Sequence, residues 1–315
     1  MNQQIKTSAI NLQTLCVPCG CHCRYCLLSW NNQIVGADYE RSKRYAKRFH
    51  DYIQENRPEI QFDFTFGYCM EHPKLLEELD FMNALGSVQG QFLQMDGMNL
   101  RNKDQSEELI SNLLCHGVKH VNFTFYGQEA YHDRFAARLG DFENLMTMAH
   151  IAAVNGLEAS AGIPVTSENA AQVEDLLLLL DSQGIEQVFL FVPHEEGRGK
   201  HLSSIRFSET DFEKLGVESA QKLNRKIFRP EREWVSNIWP EEQNRLLNIS
   251  LTPDNIERFE NMEFDQVIRY VEALDDAYYS SLPSFQELCK LYGDLSGTRF
   301  YSKRDQFQHF QKTFY

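Results

Sequence analysis

The sequence predicts an α/β fold: a parallel sheet wound into a partial (β/α)6 barrel, followed by a mostly helical C-terminal extension. Three observations lead there. Short strand-like runs alternate with stretches of helical period over residues 10–199, glycine or proline marks several helix ends, and a cysteine-rich loop directly follows the first strand. Strands that alternate with helices pair in parallel, because each helix carries the chain back to begin the next strand in the same direction. Periodicity alone fits an open doubly wound sheet as well. The cysteine loop selects the barrel, since such barrels gather their chemistry at the C-terminal ends of the strands.

In chain order, strand-like runs fall at residues 10–16, 61–66, 91–95, 120–126, 157–165 and 187–192, with helical stretches at 39–55, 73–85, 105–116, 141–155 and 168–183. Pro73 stands just inside a helix start. Gly117, Gly156 and Gly184 stand just past helix ends, where a left-handed residue closes the last turn. After about residue 206 the alternation stops. Residues 209–228, 253–260, 264–279 and 284–292 read as helices, with Thr252 and Pro253 as an N-cap and first-turn pair. Two units are therefore expected, a barrel core over residues 1–206 and a helical cap over 207–315. The cap is rich in aromatics, among them Trp234, Trp239, Phe300 and Tyr301, whose bulk suits a buried core.

At 315 residues and 42% hydrophobic content the chain can bury a substantial core. Its formal charge of −14, from 31 basic and 45 acidic residues, is the wrong sign for a protein that lives on nucleic acid. No basic stretch leads into an apolar segment at the N-terminus, and no apolar run approaches bilayer length. A cytoplasmic protein is expected, without membrane or nucleic-acid partners.

The chemistry-bearing stretch is Cys19-Gly-Cys-His-Cys23-Arg-Tyr25-Cys26, which holds four of the eight cysteines. Thiolates are soft ligands for zinc, copper(I) and iron–sulfur clusters. Cys19, Cys23 and Cys26 fit a three-then-two spacing, with Cys16 and Cys21 left over. That set closes around one cubane and leaves one iron open for a small chelating molecule. This loop resembles that of the radical S-adenosylmethionine (SAM) superfamily, C-x3-C-x2-C with an aromatic residue before the last cysteine, here Tyr25. The resemblance covers about residues 10–199. It implies a 4Fe–4S cluster, S-adenosyl-L-methionine chelated to the open iron, Tyr25 near the adenine, and a six-strand partial TIM-type barrel.

Other segments extend the resemblance. Gly67 and Glu71 lie where the family has a Gly-Gly-Glu-Pro turn that holds the SAM amino group, although this chain has one glycine and inserts His72 before Pro73. Cys69, in the same turn, is a candidate hydrogen-atom donor. The fourth strand with its following His132-Asp133 and Gly140-Asp141-Phe142 resembles molybdopterin-synthesis-like and SPASM-type members. There a serine and a later arginine bind the SAM carboxylate. Thr124 falls at the serine position, Arg134 or Arg138 supplies the charge, and Tyr126 replaces an acid. Val165 belongs to a segment that lies near adenine in the family. His194, at the sixth strand exit, is a candidate for proton transfer.

The resemblance implies an enzyme that reductively cleaves SAM to a 5′-deoxyadenosyl radical, which takes a hydrogen atom from substrate. Beyond Cys115 the next cysteine is Cys289, too few for an auxiliary cluster in the SPASM manner. That gap, with no peptide-recognition segment before residue 10, favours a small-molecule, amino-acid or nucleoside substrate. A maturase acting on a short peptide is the alternative. Arg41, Lys43, Arg44, Lys47 and Arg48 form a basic cluster on the first helix that suits docking of an acidic electron donor such as flavodoxin or ferredoxin. The non-enzyme reading is an iron–sulfur electron carrier or sensor with a closed fourth position. A zinc-stabilised interaction protein would want a second Cys/His hairpin within reach.

Overall fold

The computed structural model describes residues 5–16, 19–26, 37–67, 71–185, 187–195, 197–236, 245–281, 284, 287, 297–302 and 305. The core alternates as expected: β1 (Thr7–Cys16), α1 (Tyr39–Asn56), β2 (Gln61–Gly67), α2 (Leu75–Ala84), β3 (Phe92–Gln94), α3 (Lys103–Cys115) and β4 (His120–Thr124). Then come α4 (Glu129–Ala136), α5 (Asp141–Val154), β5 (Glu158–Pro164), α6 (Val173–Ser182) and β6 (Gln187–Phe191). The later chain forms α7 (Glu209–Phe212), α8 (Val217–Lys222), β7 (Arg229–Pro230), α9 (Glu231–Ser236), β8 (Arg245–Leu251), α10 (Pro253–Glu260), α11 (Phe264–Ser281) and β9 (Phe300–Tyr301).

The caps follow their chemistry. Gly117, Gly156 and Gly184 take φ of 84°, 87° and 86°, as the helix ends require. Thr252 accepts from Asn255 N–H while Asn255 reaches back to the Thr252 N–H, a reciprocal box around Pro253. Pro73 precedes its helix instead of opening it, because Lys74 is the N-cap.

All pairing in the core is parallel. The order is β8-β1-β2 in one sheet and β3-β4-β5-β6 in the other, and no hydrogen bonds join β2 to β3 among the described residues. Two results differ from the sequence reading. The arc of strands comes in two pieces, with a 3-10 turn at Val88–Gly90 packed against both β2 and β3. The later chain is also not helical throughout, since β8 adds to β1 and so shares a sheet with the core. Its period-2 signal was present: Leu247, Ile249 and Leu251 are buried while Leu246 and Asn248 are exposed.

The two faces of these sheets differ. Rows of Leu247, Ile10 and Phe62, of Ile249, Leu12 and Phe64, and of Leu93, Val121 and Ala159 share one face. They join the main core with Phe49 and Ile53 of α1, Leu79 of α2, Ile110 of α3, Met148 of α5 and Leu176 of α6. The opposite face carries Asn248, Asn11 and Asp63, then Ser250, Gln13 and Thr65, then Gln94, Asn122, Ser160 and Gln187. Its side chains bond to one another, Gln13 Nε2 to Ser250 Oγ at 2.8 Å and Asn122 Nδ2 to Ser160 Oγ at 2.7 Å. Parallel sheets covered on both sides by helices read as continuous apolar runs; strict alternation marks a face kept for polar contacts.

The tail is tied down by a buried ion pair. Arg206 Nη2 meets Asp305 Oδ2 at 3.0 Å, Arg206 Nη1 and Nε donate to Pro193 O and Phe300 O, and Glu195 N–H donates to Asp305 Oδ1. Trp234, Phe300 and Tyr301 are buried, as expected for core aromatics, and Trp234 Nε1 donates to Tyr301 O at 3.0 Å. Trp239 lies outside the described residues. No described helix is long and apolar enough to cross a membrane.

Candidate active site

The cysteine loop follows β1 and rests on the C-terminal end of α4. The last carbonyls of a helix have no partner within it. Here two of them are satisfied by the loop, His22 N–H donating to Ala136 O at 2.8 Å and Arg24 N–H to Phe135 O at 3.0 Å. Gly20 N–H donates to Gly97 O beyond β3, Arg24 pairs with Glu168 beyond β5 at 3.0 Å, and Arg198 N–H beyond β6 donates to Cys26 O at 3.0 Å. With Tyr126, just past β4, also bonded to Cys23, the loop touches the exits of four successive strands. Gly97, at φ 71°, gives Cys19 its space, since a Cβ there would overlap Cys19 Sγ.

Cys21 and Cys23 are buried, Cys19 and Cys26 half-buried. Contact with the Cys21 thiol, then burial, pushes the Cys19 thiol above its ordinary range. Cys19 favours the thiolate of Cys21, but contact with Cys23, burial and the Asp141 carboxylate outweigh it and raise Cys21 as well. Thiols crowded in this way keep their protons unless a cationic centre takes the protons' place. That donor set and the Gly97 cradle fit an iron–sulfur cluster. No three or more His, Cys, Asp and Glu side chains among the described residues are arranged around a single metal ion.

Cys21, besides meeting the thiols of Cys19 and Cys23, faces charged groups. Its sulfur donates to Asp141 Oδ2 at 3.5 Å and lies 3.9 Å from Arg138 Nη1. Asp141 in turn meets His132 Nε2 at 3.1 Å, and His132 Nδ1 accepts the Tyr126 N–H at 3.2 Å, which leaves the imidazole proton on Nε2. Tyr126 OH donates to Cys23 Sγ at 2.9 Å. Burial first, then Cys23, holds the Tyr126 phenol far above its ordinary value. Tyr25 packs among Tyr126, Phe135 and Phe191 with ring centroids 5.7, 6.0 and 6.0 Å away.

The two candidate arginines separate. Arg138 bends back to the cysteine loop, donating to Met98 O at 2.5 Å and facing Asp141 and Gly20. Arg134 is exposed and lies over the Tyr131 ring at 5.0 Å. Thr124 gives its N–H and hydroxyl to Asp96, at 2.7 and 2.6 Å. Burial raises the Asp96 pKa against the lowering effect of those bonds. Glu71 accepts from Asn99 N–H at 2.7 Å and Nδ2 at 2.6 Å and pairs with Arg101 at 2.8 Å, linking the exits of β2 and β3. Gly67 is left-handed at φ 70°. Val165 is fully buried and donates its N–H to Phe191 O at 2.8 Å. His194 is drawn into the tail network, 3.0 Å from Ser302 Oγ and 3.7 Å from Asp305. Cys69 lies outside the described residues.

Gly97, Asp141 and His132 are the site residues that motif reading missed as partners. Gly97 sat in a recognised polar strand exit, and His132 and Asp141 sat in segments already set apart by resemblance. Only folding joined them to the loop.

The solved structure of Streptococcus suis SuiB bound to precursor peptide SuiA is similar to this chain, with a TM-score of 0.54 and 10% identity, covering 82% of this chain and 61% of that one. The likeness is one of fold. Weaker likenesses include Escherichia coli coproporphyrinogen III oxidase (HemN), described as a radical SAM enzyme, at TM-score 0.45 and 12% identity over 79% of this chain and 66% of that one. Another is anSMEcpe with bound AdoMet, at TM-score 0.45 and 17% identity over 66% and 57%. The chain spans less than two thirds of the length of each of these structures. No protein-family model matches the chain, and comparison with curated proteins finds no match.

Proposed function

We infer that this protein is a radical SAM enzyme in which Cys19, Cys23 and Cys26 hold a 4Fe–4S cluster and S-adenosyl-L-methionine binds at the loop. The observation that carries the reading is the seating of the three-cysteine loop across the exits of β3, β4, β5 and β6, with Gly97 hollowed out for Cys19. Held by Cys19, Cys23 and Cys26, a reduced cluster would supply the one electron for cleavage of a carbon–sulfur bond of SAM to methionine and a 5′-deoxyadenosyl radical.

The chain's own residues then divide the work. Arg138, held by Met98 O and Asp141, faces the loop and is the cation for the SAM carboxylate; Arg134 is directed elsewhere. Tyr25 and its aromatic neighbours exclude water on one side. Glu71 is the acid for the SAM ammonium. It has to exchange its Asn99 or Arg101 contacts to serve. The sheet face lined by amides and hydroxyls, with Asp63 on β2, favours a hydrogen-bonding substrate. A short peptide, whose main chain offers the same groups, is the second reading, and SuiB was solved with a precursor peptide. On α1, Arg41, Lys43 and Lys47 pair with Glu260, Glu77 and Asp51. Docking of an acidic flavodoxin or ferredoxin therefore falls mainly to exposed Arg44 and Arg48.

The test is anaerobic. The protein is loaded with iron and sulfide, given SAM and dithionite, and assayed for 5′-deoxyadenosine, with Cys23→Ala as control. Formation by wild type alone supports the reading. A stable cluster whose EPR spectrum SAM does not perturb would replace it with an electron carrier.

A further inference from the structure

Tyr126, just past β4, stands where the resembling segment carries an acid, and it is placed to act on the cluster through a ligand, Cys23. Its ring is buried, stacked on Phe135 at 4.7 Å and edge-on to Tyr25 at 5.7 Å. Its main chain is pinned on both sides, the N–H on His132 Nδ1 at 3.2 Å and the carbonyl under Asn169 Nδ2 at 2.7 Å. From that fixed position the hydroxyl donates to Cys23 Sγ at 2.9 Å. A buried phenol that lost this bond would carry the cost of an unmet donor, so the contact is held.

We propose that Tyr126 is a positioning residue that raises the reduction potential of the iron–sulfur centre by donating a hydrogen bond to the Cys23 thiolate. The inference rests on the proposed function. Adding an electron places more negative charge on the ligand sulfurs, and a fixed donor stabilises the more negative state. The apolar surroundings of Phe135, Tyr25 and Leu202 strengthen that effect. Hydrogen bonds to sulfur are among the levers that set cluster potentials, and groups behind the ligands tune the metal.

The experiment measures the potential, independently of turnover. Wild type, Tyr126→Phe and Tyr131→Phe are loaded anaerobically with iron and sulfide, assayed for iron, and titrated with dithionite and mediator dyes while the EPR signal of the reduced cluster is followed. Tyr126→Phe is expected to hold the wild-type amount of iron and to need a more negative potential. If the bond strengthens on reduction by about the difference between a neutral and a charge-assisted hydrogen bond, its loss shifts the reduction equilibrium roughly tenfold, about 59 mV for a one-electron couple. Tyr131 belongs to the same aromatic cluster, but its hydroxyl bonds to Thr166 and Glu168, each at 3.2 Å, so Tyr131→Phe should keep the wild-type potential. 3-Fluorotyrosine in place of Tyr126, a stronger donor, should move the potential the other way, and it gives the answer if the phenylalanine variant loads poorly. An unchanged potential with the altered donor, or an equal shift from Tyr131→Phe, overturns the proposal. A wild type that takes up no cluster refutes the function on which it rests.

Discussion

Cys19 Sγ occupies the space that a side chain at Gly97 would fill, so a residue just beyond β3 sets where a thiol from the β1 loop can stand. Gly97→Ala meets two obstacles. Alanine at φ 71° costs about 1–2 kcal/mol, and its Cβ displaces Cys19. The expected variant keeps its far-UV circular dichroism and loses iron after reconstitution; wild-type iron content would show that the loop does not need this hollow.

Cys21 donates to Asp141, although its thiol also meets those of Cys19 and Cys23, so the four thiols of the loop should not behave alike. Serine at Cys19, Cys23 or Cys26 should each abolish most of the iron uptake and brown colour. Cys21→Ser should keep both, because a hydroxyl can still donate to Asp141. Iron loss in Cys21→Ser equal to that in Cys23→Ser would assign the ligands differently.

Arg138 meets Met98 O and Asp141, whereas Arg134 lies over the Tyr131 ring. A charge-assisted hydrogen bond is worth about 1.5–3 kcal/mol, so Arg138→Ala should raise the Kd for SAM by about tenfold or more on the cluster-loaded protein. Arg134→Ala should stay near wild type. Equilibrium dialysis with labelled SAM separates them, and the reverse order would move the carboxylate site to the exposed face.

Arg206 and Asp305 are buried to 6% and 0% exposure, and the pair closes the tail onto the β6 exit. Removing one partner of such a pair costs about 3–5 kcal/mol, the loss expected in urea unfolding of Asp305→Ala at neutral pH. Burial alone would raise the Asp305 pKa. The Arg206 guanidinium, with His194, outweighs it and holds the carboxyl well below the usual range. The unfolded chain then binds the proton first on acidification. The pair's contribution is full above about pH 4, the unfolded value, and is lost as pH falls from there towards the folded value. The stability gap between wild type and Asp305→Asn should therefore narrow below that pH; a gap independent of pH would deny the linkage.

Much of this was legible in one dimension. The three-then-two spacing of Cys19, Cys23 and Cys26, the glycines that end α3, α5 and α6, and the alternation of strand and helix are local patterns, and local sterics and hydrogen bonding decide them without reference to distant chain. β8 shows the limit. Its alternating Leu247, Ile249 and Leu251 were readable as a strand, but not the choice of β1 as partner across more than two hundred intervening residues.

The site divides along the same line. By itself the sequence determined which donor atoms are available and that they share one loop, because covalent spacing confines them. The tertiary structure alone decided that Arg138 and not Arg134 meets that loop, that Cys21 is held by Asp141, that Tyr126 reaches Cys23, and that His194 is drawn into the Arg206–Asp305 network. Those relations depend on which strand exits come together when the apolar faces of the sheets are buried. Burial energy scales with area and carries no direction, so the packing of the whole core, and no single motif, aims these side chains.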